Sequence, residues 1–64
     1  MNRRKLERHL RNHGCEFHHH GGSHDIWWNP ANEKQSSDPR HRTVKNGTAK
    51  AICRELEIPP PDGL

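Results

Sequence analysis

Residues 15–29 read CEFHHHGGSHDIWWN, and this stretch decides the fold. Two runs suited to extended backbone flank a glycine pair. Cys15 to His20 alternates Cys15, Phe17 and His19 against Glu16, His18 and His20, and Ser23 to Asn29 is rich in Ile and Trp. Gly21-Gly22 supplies the turn between them. The stretch therefore predicts a β-hairpin. Pro30 to Lys34 is a polar turn, and Gln35 to Asp38 predicts a short third strand. Pro39 ends that strand, and Asp38 blunts it as an edge.

Working outward, a helical pattern stands on either side of the strands. Between Asn2 and His13, Leu6 and Leu10 lie one turn apart, with Arg3, Arg4, Lys5, Arg8 and Arg11 on the other faces. Asn2 suits the N-cap and Gly14 the left-handed position after the end. From Gly47 or Thr48 to Glu57, the residues Ala49, Ile52, Cys53 and Leu56 form one apolar stripe. Pro59-Pro60-Pro61 cannot extend it. The order is α-β-β-β-α, an α+β fold. Its simplest packing is a three-stranded antiparallel meander with both helices on one face and the other face open to ligand. Residues 1–58 form a single domain, and 59–64 are expected as a loose, Pro-rich tail.

Composition sets bounds on function. In 64 residues, 27% are hydrophobic and 30% charged, which leaves a thin core. The longest apolar run is Ile26 to Trp28, which rules out a hydrophobic helical span and a secretory leader. Cys15 and Cys53 are expected as free thiols in a cytoplasmic protein. The net charge of +3 is unevenly spread: residues 1–13 carry a net +4 and residues 34–54 a net +5, with six of the eight acidic residues elsewhere. Two basic blocks in so short a chain point to a polyanionic partner.

The seven histidines carry the chemistry, four of them within 18–24. One reading is metal: His20 and His24 approach across the turn, with Cys15 or His41 as further ligands, and His9 and His13 form an i, i+4 pair. Another is RNA cleavage. RNA carries its own nucleophile, the 2′-OH, so a metal-free nuclease needs an imidazole to move protons and cations to stabilise the phosphorane. Strand parity sets His24 with Ile26 and Trp28, away from Trp27.

The string Gly21-Gly22-Ser23-His24-Asp25-Ile26-Trp27-Trp28-Asn29-Pro30, after a helix ending in Gly14, resembles the Gly-Ser-His strand motif of HicA-type mRNA interferase toxins. Pro39-Arg40-His41-Arg42 followed by Gly47-Thr48-Ala49-Lys50-Ala51-Ile52-Cys53-Arg54 is similar to their second block, and the likeness runs over about residues 2–58. The resemblance implies a double-stranded-RNA-binding-domain-like fold and a metal-independent endoribonuclease acting on mRNA, with no cofactor. It implies His24 as the catalytic residue and a HicB-type antitoxin as partner in a hetero-oligomer.

Around that core the candidate RNA contacts are Ser23, Arg40, His41, Arg42 and Lys50. The candidate antitoxin contacts are Trp27, Trp28 and Arg8. The proton partner of His24 is either His41 or one of His18 to His20. A competing reading keeps the fold and charge but makes the chain a non-catalytic RNA-binding module. A third makes it a small metal-binding regulator. Asp38 stands where members of the resembled family carry an apolar residue, so it is expected to weaken the third strand or repel phosphate.

Overall fold

Helix α1 spans Arg3–Asn12. The Asn2 side chain accepts from the backbone N–H of Arg4 at 2.8 Å and of Lys5 at 3.4 Å, which caps the first turn. At the other end Gly14 adopts φ 83°. Its N–H donates to the Arg11 carbonyl and that of Cys15 to the Leu10 carbonyl, a Schellman closure with Leu10 and Cys15 both in the core. A computed structural model describes all of residues 1–64.

Three strands follow: β1 Glu16–His20, β2 His24–Asn29 and β3 Lys34–Pro39. They form one antiparallel sheet in the order β1-β2-β3. Helix α2 spans Asn46–Glu55, without a side-chain cap on Lys45. The α-β-β-β-α order and three-stranded antiparallel sheet match the sequence reading, with element ends moved by one or two residues. Neither helix is long and apolar enough to cross a membrane.

Both helices lie on the sheet face that carries Asp25, Trp27 and Asn29 of β2 and Ser36 and Asp38 of β3. Arg3 reaches Asp25, Arg11 stacks over Trp27, Glu55 accepts from Ser36, and Asn29 donates to the Leu56 carbonyl. The core is nine residues: Leu6, Leu10, Cys15, Trp27, Val44, Ala49, Ile52, Cys53 and Leu56. Both helical stripes are in it as expected. Cys15 and Cys53 are buried free thiols, and burial pushes Cys53 up to about 11.

The structure corrects four expectations. A bulge between Phe17 and His19 breaks the parity of β1. Phe17 then pairs with Trp27 and His20 with Asp25, so Phe17 and His20 share a side, their rings 4.9 Å apart. Strand β3 includes Asp38 as expected and extends to Pro39, but Asp38 is fully buried beneath the helices and does not blunt an exposed edge. Trp27 is 2% exposed, so it is a core residue and not an interface residue. The tail lies against α1: His9 Nε2 donates to the Pro59 carbonyl at 2.7 Å, and Leu64 packs on the core.

Candidate functional site

His24 opens β2, directly after the Gly21-Gly22-Ser23 turn. It is exposed and points with the half-buried Ile26 and Trp28 to the sheet face that no helix covers. Ile26 therefore does not draw His24 into the core. The turn is tight. The Gly21 N–H donates to the His24 carbonyl at 2.8 Å, and a Cβ on Gly21 would stand 3.4 Å from that same oxygen. Ser23 Oγ lies 3.3 Å from His24 Nδ1, within hydrogen-bond distance.

Arg40 holds this turn from β3. Its Nη2 donates to the Gly21 carbonyl at 2.9 Å and to the His24 carbonyl at 3.4 Å, and its Nε donates to Asp25 Oδ1 at 2.8 Å. Asp25 is the hub beneath. It also accepts from Arg3 Nη2 at 2.7 Å and from His20 Nδ1 at 2.8 Å. The His20 hydrogen bond, then Arg40, hold the Asp25 carboxyl below the usual carboxylate range despite its burial. His20 is thus turned to Asp25, with its side chain 72% exposed.

A second buried carboxylate stands beside this hub. Asp38 is 0% exposed, and neither of its oxygens has a hydrogen-bond partner. Arg3 Nε is 3.5 Å from Oδ2, while the same nitrogen donates to Glu7 at 2.8 Å. Burial, and then the neighbouring Glu7, push Asp38 up to about 7.

The structure gathers some of the predicted site residues and separates others. Ser23, Arg40 and His41 line one cleft of about 310 Å³ beside His24. Arg42 faces away into a cleft with Asn2, Arg3, Arg4 and Glu7. Lys50 and Arg54 of α2 line a separate cleft with Ile58 and Pro60, which follow the helix. Arg8 is exposed on α1, and Trp28 sits on the open sheet face with the His18 ring edge-on at 5.2 Å. Sequence reasoning missed the Arg3–Asp25–Arg40 brace. Its signal was present: Asp25 alternates with Trp27, and a carboxylate on a buried strand face requires a cation. No group of three or more His, Cys, Asp or Glu side chains is arranged to hold a metal ion.

Compared with known protein families, residues 3–58 match the model described as HicA toxin of bacterial toxin-antitoxin. No curated protein and no solved structure matches the chain.

Proposed function

We propose that this chain, which belongs to the HicA toxin family and is the toxin of a toxin–antitoxin module, is a metal-independent endoribonuclease that cleaves mRNA at His24. The observation that carries this reading is the setting of His24. It is an exposed imidazole at the start of β2, on a turn braced by Arg40, within hydrogen-bond distance of Ser23, which lines a cleft with Arg40 and His41.

In this mechanism His24 takes the proton of the 2′-OH. The 2′-oxygen attacks phosphorus, and the bond to the 5′-oxygen breaks. A second group delivers a proton to that leaving oxygen. The products are a 2′,3′-cyclic phosphate and a 5′-OH. His41 is the proton donor we assign, because it shares the cleft with Ser23, whereas His20 is committed to Asp25. Arg40 is chiefly a positioning residue, since its guanidinium is spent on the turn and on Asp25; its remaining field favours the phosphorane. A HicB-type antitoxin would neutralise the toxin by covering the open face, where Trp28 offers an aromatic anchor.

Purified wild-type protein and His24→Ala are compared on single-stranded RNA, with fragment ends mapped. The expected result is cyclic-phosphate ends from wild type and a loss of about 10²–10⁴-fold in rate for the variant. Cleavage by His24→Ala at the wild-type rate would sink the assignment. Binding without cleavage by either protein would favour the non-catalytic module.

A further inference from the structure

The two basic blocks, separate in sequence, are stitched together in the fold. The Arg3 N–H donates to the Arg42 carbonyl at 2.9 Å, the Val44 N–H donates to the Met1 carbonyl at 2.7 Å, and Asn2 bridges to Thr43. Between them lies the largest cleft of the molecule, about 760 Å³, lined by Asn2, Arg3, Arg4, Glu7 and Arg42. None of these is hydrophobic. Glu7 is paired with Arg3 at 2.8 Å, an arginine that Asp25 also engages at 2.7 Å. Arg4 and Arg42 make no ion pair and are exposed, so the cleft holds two free guanidiniums.

We infer that this cleft is a second phosphate subsite, which takes a backbone phosphate of the RNA strand flanking the one cleaved at His24. The inference rests on the ribonuclease reading and names a further part of its substrate contact. Three observations carry it. The same short segment, Arg40 to Arg42, has Arg40 and His41 in the cleft with Ser23 and Arg42 in this one, so the two clefts are joined by consecutive residues of one loop. Free guanidiniums match phosphate oxygens with two parallel N–H bonds. The lining is wholly polar, with three arginines and an asparagine, the side-chain types that meet the phosphates of a nucleic-acid backbone. The loop that carries the site thus also sets the path of the strand away from it.

The test uses the full chain with His24→Ala, so that RNA stays intact, and compares it with the same protein carrying Arg4→Gln and Arg42→Gln. Binding of a labelled oligouridylate of roughly a dozen nucleotides, and of a trinucleotide, is followed by anisotropy over a range of salt. Both arginines are exposed and unpaired, so the fold tolerates the change, and circular dichroism verifies this. The parent should gain affinity from the short to the long RNA, and the double variant should lose that gain. On the long RNA the loss should be about tenfold near physiological salt, with a slope of log K against log salt shallower by about 0.7, as one phosphate contact requires. Equal binding of parent and variant to the long RNA would overturn the subsite alone. A parent that binds neither RNA would overturn the underlying reading as well. Weakened binding of poly-glutamate with RNA binding unchanged would assign the cleft to acidic protein side chains, which also overturns the proposal.

Discussion

Two carboxylates under the same helices respond to pH in opposite senses. Asp25, held low by His20 and Arg40, contributes stability that is present above the ordinary carboxylate range and lost as pH falls through its lowered value. Asp38, pushed up to about 7 by burial and Glu7, contributes stability that is full below its unfolded value near 3.8 and lost as pH rises through about 7. The folded protein should therefore be most stable in mildly acidic solution. Asp38→Asn should gain about 1–3 kcal/mol more stability at pH 8 than at pH 5, read from urea unfolding at both values. An equal effect at the two pH values would mean that Asp38 does not titrate in this window. The placement of Asp38 was not legible in the sequence. A lone carboxylate before Pro39 looks like an edge blunted by solvent, and only the approach of Arg3 from the far end of the chain makes its burial tolerable.

At the level of elements, the helices were the most legible part. Leu6 and Leu10, and the stripe from Ala49 to Leu56, have helical spacing that no strand reproduces, and Asn2 and Gly14 mark the ends of α1 by their side chains. The parity of β1 was not legible. A bulge at His18 depends on pairing with β2, and three consecutive histidines carry no polar–apolar contrast to reveal it. The two helix ends of α2 are its weak points. Glu57 occupies the left-handed position at φ 58° that glycine takes after α1, although its N–H and that of Ile58 close the same Schellman pair onto Arg54 and Cys53. Glu57→Gly should stabilise by about 0.5–1 kcal/mol. Lys45 supplies no cap, so Lys45→Asp should add about 1 kcal/mol. Thermal melting of the two single variants and the double checks both values, and the gains should add, since the sites lie at opposite ends of the helix.

For the molecule as a whole, nine buried apolar residues hold the sheet to the helices. A domain this small has little stability in reserve. Leu10→Ala, which removes a fully buried side chain at the Schellman closure of α1, should cost about 2–5 kcal/mol and leave much of the protein unfolded at 25 °C, as circular dichroism in urea would show. A cost below 1 kcal/mol would mean that the tail or α2 collapses into the gap. Polar contacts carry an unusual share of the helix–sheet joint, and they converge on the turn that bears His24. Arg3 from α1 and Arg40 from the end of β3 grip Asp25 together. That grip has a consequence for the nascent toxin. Of the two clamps, Arg3 is synthesised long before the hairpin and Arg40 well after it. The hairpin can pair as soon as Asn29 has emerged, but its turn is locked only once residue 40 has followed. The contacts joining residues 1–3 to 42–44 close a long loop and are expected late in folding. The order of synthesis thus separates the two: the chain carries its histidine early, and the Arg40 clamp on its turn only later.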